Sequence, residues 1–119
     1  PCFDGNGMWL SMGNIHAHGK IGMLFIDTEN PQRVRVQGTA ELVRDEGVLS
    51  RWPEVGLAVR VSITNTWINC PRYIHPMQQV SPAAHVPRAG VETQEAEWKS
   101  IPQVDDVVPK SPHMVKNPE

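Results

Sequence analysis

The chain has only two cysteines, Cys2 and Cys70, in 119 residues. Two thiols close one bridge at most, their spacing fits no zinc pattern, and a small secreted scaffold held by disulfides would carry more of them. A reducing, cytoplasmic setting is the expectation. No apolar run approaches membrane-spanning length and no secretory signal opens the chain, so no membrane role is expected. Positive charge is not in excess: the formal net charge is -2. There is also no basic patch with interleaved aromatics, which argues against nucleic acid as a partner. No internal repeat is visible. Apolar residues are only 39% of the total, few for a compact globule, and the length allows one domain at most. The first residue is proline rather than methionine, and we expect a processed product or a piece of a longer chain.

Proline, by contrast, is abundant and unevenly placed. Six prolines (Pro82, Pro87, Pro102, Pro109, Pro112, Pro118) fall in residues 81–119, together with six acids against four bases, whereas residues 1–80 carry seven of each charge. Residues 1–80 therefore read as folded matter. Residues 81–119 read as a proline-rich, mildly acidic extension packing on the domain or on a partner subunit, since such a segment buries too little apolar surface to offset its own ordering entropy.

Within the folded part the pattern is mainly β with short helices. Asp4 or Asn6 can cap a helix starting near Met8, with Met8, Met12 and Ile15 along one face and Gly19 as its exit. Ile21–Asp27 is a continuous apolar run of strand length that predicts burial on both faces. Arg33–Arg44 alternates: Val34, Val36, Ala40 and Leu42 point one way, Arg33, Arg35, Gln37, Thr39 and Glu41 the other. Gly38 inside it suggests a bulge or a close backbone approach. Asp45 and Glu46 open a short helix with Val48, Leu49 and Trp52 as apolar positions and Pro53 as its stop. A third strand is expected from about 57 to 67, with Leu57, Val59, Val61 and Ile63 toward the core. Three such strands make an incomplete antiparallel sheet with open edges, which implies partner strands elsewhere. The four tryptophans, Trp9, Trp52, Trp67 and Trp98, are expected to be packing residues.

Several clusters carry possible chemistry. Asp4-Gly5-Asn6-Gly7 before a helix reads either as a capped turn or as an anion site, where bare backbone N–H groups meet a phosphate. Arg33 and Arg35, two apart on one strand face, read either as a bidentate anion clamp or as a solvated face paired with a cross-strand acid. His16 and His18 do not share a helix face and have no further ligand at metal spacing, so a polar helix end is expected rather than a metal. Cys70-Pro71-Arg72-Tyr73-Ile74-His75 packs four chemically capable side chains into six residues, but no base lies within sequence reach of Cys70. No residue presents itself as a general base, and catalytic residues stay unassigned.

Taken as a set, FDGNGMWLSMGNI, IGMLFID, PQRVRVQGTAEL, NCPRYIH and the VPRAG…ETQEAEWKSIP tail resemble the pyridoxamine 5′-phosphate oxidase-like flavoproteins, from Phe3 to about Pro109. The resemblance implies part of an FMN-binding split β-barrel, six-stranded when whole, with two cofactor sites at the interface of a homodimer and a small-molecule substrate. By position, Asp4, Gly5, Asn6, Gly7 and Met8 inherit the approach to the FMN phosphate. Arg33 and then Arg35 lie beside the cofactor, and Arg72 and Tyr73 are candidates near the flavin or the dimer seam. Strands that precede this stretch in the family have no counterpart here. Where the B6-oxidising members carry a Ser-Arg-Lys-type motif this chain has Gly5-Asn6-Gly7-Met8, so vitamin B6 oxidation is not expected. The expected function is that of an FMN-dependent oxidoreductase. The alternatives are a non-enzymatic flavin-binding or dimerising domain, or the same fold holding deazaflavin F420 or haem, for which His16, His18 and His75 are the available axial candidates.

Overall fold

The computed structural model describes residues 1–108. In chain order these form α1 (Leu10–His18), β1 (Lys20–Asp27), β2 (Gln32–Val43), α2 (Glu46–Leu49), β3 (Ala58–Asn69) and a single 3₁₀ turn at Glu97–Ser100. The architecture is mainly β: one three-stranded antiparallel sheet in the order β1-β2-β3, with short helices.

β1 and β2 form a hairpin whose register runs unbroken from Lys20 opposite Thr39 to Asp27 opposite Gln32. Asp27 fixes the turn. Its carboxylate accepts the Glu29 and Asn30 amides at 3.0 and 2.9 Å and the Asn30 side chain at 3.4 Å. The Asn30 amide above all holds that carboxyl below its ordinary range. On β2 the alternation appears as expected: Val36 is buried and Val34, Ala40 and Leu42 half-buried, while Arg35, Gln37, Thr39 and Glu41 are exposed. Gly38 marks a close approach and not a bulge. A Cβ there would lie 2.3 Å from the Ser62 carbonyl oxygen, and the hairpin register passes through Gly38 without interruption.

Burial of the outer strands departs from expectation. β1 is not covered on both faces: Leu24, Phe25 and Ile26 are each about half exposed (48–54%). A strand at the end of a three-stranded sheet has one neighbour, so an apolar run there is not by itself evidence of cover. On β3, Ala58 is buried and Val59 and Val61 half-buried, but Ile63 is exposed, and the strand runs on past Trp67 to Asn69. Trp9, Trp67 and Trp98 keep about two-fifths of their surface exposed, so they are not buried packing residues.

α1 begins two residues later than expected, at Leu10, because Trp9 is left-handed (φ 51°) and no helix passes through it. Met8 therefore lies outside the apolar stripe, and Ile15 is the buried residue of this helix. Gly19 ends it as expected, with φ 60° and its N–H on the Ile15 carbonyl at 2.8 Å. The exposed His16 and His18 occupy its last turn. Asp45 caps α2 through its side chain, 3.1 Å from the Val48 amide. That helix stops at Leu49, and a further turn carries the chain to Trp52, which is therefore not a helical position.

The chain divides into two compact units. One comprises Pro1–Leu10, Val43–Val59 and residues 83–108, with Val43, Val55, Leu57 and Ala58 buried. The other comprises Ser11–Leu42 and Arg60–Pro82, with Ile15 and Val36 buried. The expected extension over 81–119 is thus described as far as residue 108, and Pro109, Pro112 and Pro118 lie outside the described residues.

Candidate functional site

In the unit that holds the hairpin, residues paired across strands share a face of the sheet. Lys20 opposite Thr39, Gly22 opposite Gln37 and Leu24 opposite Arg35 therefore lie on the exposed face of β2. Arg60 and Thr64 of β3 join them: Arg60 pairs with Glu41 at 2.9 Å, and the Thr64 hydroxyl donates to the Gln37 carbonyl at 3.2 Å. A shallow groove of about 500 Å³ opens here, lined by Lys20, Ile21, Gly22, Gln37, Gly38, Thr39 and Thr64. Gly22 keeps its floor open, since a Cβ there would meet nothing within 4 Å. Glu41 is matched by Arg60, which leaves Lys20 and Arg35 as cations without an ion-pair partner among the described residues.

Arg33 is not one of these open cations. Its Nε donates to the Cys70 carbonyl at 2.9 Å, and its Nη2 donates to the carbonyls of Cys70 and, at 3.0 Å, Arg72. The guanidinium thus joins the start of β2 to the turn after β3. Arg72 takes part through its backbone. Tyr73 follows in a left-handed conformation (φ 71°), with its side chain fully outside the packing at 89% exposure. Cys70 is exposed and unbridged.

The other unit contains Asp4, Gly5, Asn6, Gly7 and Met8. Asn6 takes the Met8 amide onto its own side-chain oxygen at 3.1 Å, and Gly7 is left-handed (φ 74°). This is the capped-turn reading of that stretch: the Met8 N–H is already satisfied, and α1 starts two residues further on. Asp4 forms an ion pair with Lys99, whose side chain is only 7% exposed. Both residues, with Phe3, Gly5, Asn6, Glu54, His85, Thr93, Glu95 and Trp98, line a cavity of about 320 Å³. Three carboxylates against one lysine disfavour a phosphate in that cavity. Cys2 lies nearby in sequence, half-buried and unbridged, with burial pushing its thiol up.

The sequence reading thus reached Arg33, Arg35, Arg72 and Tyr73 in one unit and Asp4 to Met8 in the other. It missed Lys20, Thr39 and Thr64 as groove residues, although the alternation of β2 and the hairpin turn together placed Lys20 opposite Thr39. It also missed Lys99 and His85, for which no local signal exists. Among the described residues no group of three or more His, Cys, Asp or Glu could hold a metal ion, and no helix is long and apolar enough to cross a membrane. FMN needs a cation or amide donors for its phosphate and an open face for its ring. Lys20, the Thr39 hydroxyl and the bare floor at Gly22 fit those needs in the groove, with Arg35 further along the same face of β2, whereas the Asp4–Asn6 cavity does not fit the phosphate. No family model, curated protein or solved structure matches this chain.

Proposed function

We propose that this chain is the cofactor-holding portion of a split-barrel flavoprotein, an FMN-dependent oxidoreductase of the pyridoxamine 5′-phosphate oxidase-like kind, acting as a homodimer. The observation that carries this reading is the Arg33 junction. The resemblance puts RVRVQG beside the flavin and NCPRY near the flavin or the dimer seam, and one guanidinium bonds the two segments together across 37 residues of sequence. The sheet gives a second support. β1 and β3 each have an edge with no strand partner among the described residues and carry exposed apolar side chains, as strands of a larger barrel or a dimer would.

When bound, FMN supplies hydride acceptance and donation. The chain's own residues bind and orient. Lys20 and, further along the same strand face, Arg35 match the charge of the phosphate, and the Thr39 hydroxyl offers a hydrogen bond. Arg33 holds the turn that carries Tyr73. Titrating the protein with FMN while following flavin fluorescence tests the reading: saturable quenching is expected. Lys20→Met and Arg35→Met should each weaken binding about 10- to 100-fold, the loss of one charge-assisted contact. A protein that takes up no FMN overturns it. Flavin that binds but accepts no electrons from any reductant would leave the fold reading in place and remove the oxidoreductase.

A further inference from the structure

Asn6-Gly7 is the single asparagine–glycine pair of the chain, and its geometry favours a reaction of the chain with itself. Asparagine is thermolabile because the backbone nitrogen of the next residue can attack its side-chain carbonyl carbon. Three features of this turn favour that attack. Asn6 is exposed, so water and base reach it. The Gly7 N–H makes no hydrogen bond among the described residues, and glycine has no Cβ to shield the nitrogen. The Met8 N–H donates to Asn6 Oδ1 at 3.1 Å. That donor draws electrons from Cγ and meets the negative charge that builds on the oxygen as the attack proceeds.

The other asparagines lack this set. Asn30 and Asn117 precede prolines, which have no N–H to lose. Asn14 lies inside α1, and Asn65 and Asn69 lie in β3, each followed by a residue that bears a side chain. Asp4-Gly5 has the same spacing but a different state. The Asp4 carboxylate is paired with the ammonium of the buried Lys99, and an ionised carboxylate is a poor electrophile.

We propose that Asn6 is a self-modification site, which loses ammonia through a succinimide and becomes aspartate or isoaspartate. A base from solvent takes the Gly7 amide proton, and the nitrogen bonds to Asn6 Cγ. The Cγ–Nδ2 bond then breaks, and Nδ2 leaves with a proton as ammonia. Water adds to either carbonyl of the five-membered ring and opens it. Nothing is oxidised or reduced. Both products put a new carboxylate on the cavity wall that Asn6 shares with Asp4 and Lys99. Isoaspartate also inserts a methylene into the main chain between Gly5 and Gly7. The site lies outside the flavin groove, and its chemistry needs water alone.

The test ages the whole chain in mildly alkaline buffer made with heavy-oxygen water and maps its peptides by mass spectrometry. Labelling by an isoaspartyl methyltransferase is the second readout. Position 6 should gain one heavy oxygen and the methyl label, ahead of Asn14, Asn65 and Asn69. A free peptide of residues 1–10 is the reference. The folded chain should convert about 2- to 10-fold faster, the worth of one hydrogen bond to the developing oxyanion. Asn6→Gln, whose longer side chain cannot close the five-membered ring, should take up neither label while keeping the circular dichroism spectrum. Slower conversion in the folded chain than in the peptide overturns the proposal. So does aspartate without isoaspartate, the mark of direct hydrolysis, or label at Asn14, Asn65 or Asn69 as early as at position 6.

Discussion

Arg33 shows how one side chain can be recognised for its charge and used for its shape. A guanidinium is a planar fork of donors, and here it spends them on two backbone carbonyls of a turn. Arg33→Ala removes those donors and should destabilise the chain by about 1–3 kcal/mol. Arg33→Lys should recover only part of this, because an ammonium cannot reproduce the fork. Hydrogen exchange at residues 72–74 should rise in both variants, and unchanged exchange there would contradict the junction. Gly38 is the second residue with a sharp expectation. Gly38→Ala places a methyl against the Ser62 carbonyl oxygen, a backbone atom that cannot swing aside. The strain should cost about 1–3 kcal/mol in thermal or urea unfolding. The sequence signalled that glycine plainly, as a break in an alternating strand. It gave no such signal for the Arg33 acceptors, because backbone carbonyls look the same at every position, nor for Lys99 and Asp4, which meet across 95 residues.

At the scale of elements, the β1–β2 hairpin depends on Asp27. Its carboxyl is held below the ordinary value of 3.8 by the Asn30 amide first, then the Asn30 side chain and the Glu29 amide. A carboxyl depressed in the folded state contributes stability above its unfolded value, and that contribution is lost as pH falls from 3.8 through the lower folded value. Asp27→Ala should therefore lower the melting temperature at neutral pH, and the gap to the parent should close in acid below that window. A gap independent of pH would show that the turn does not rest on the carboxylate. The alternation of β2, the Asp45 cap of α2 and the Gly19 exit of α1 were legible in the sequence because each is a local rule with a local cause. The exposure of Leu24, Phe25 and Ile26 was not, because burial depends on how many strands lie beside β1. The start of α1 was missed for a similar reason: a left-handed Trp9 has no sequence signature.

On the scale of the whole molecule, open strand edges and half-exposed Leu24, Phe25 and Ile26 predict association. Light scattering after size exclusion should give twice the monomer mass at micromolar concentration, and Phe25→Lys, placed on β1, should shift the population toward monomer without loss of β structure. A protein that stays monomeric at all concentrations would remove the dimer from the proposed function. The pair of Lys99 with Asp4 acts at this scale too, since it bonds the late segment to the first residues of the chain. Asp4→Asn leaves a buried ammonium with a weaker partner and should cost up to about 3 kcal/mol, whereas Asp4→Asn combined with Lys99→Met should recover part of that in urea unfolding. That same arrangement sets an order of events during synthesis. The hairpin unit closes its strand pairing over a short span of chain and can form early. The other unit draws on three separated segments, so its loop-closure entropy is met only after residue 99 has been made, and until then Asp4 waits without that counter-charge. A ribosome-stalled chain ending before Glu97 should therefore protect the hairpin amides from exchange and leave those of Cys2 to Asn6 open.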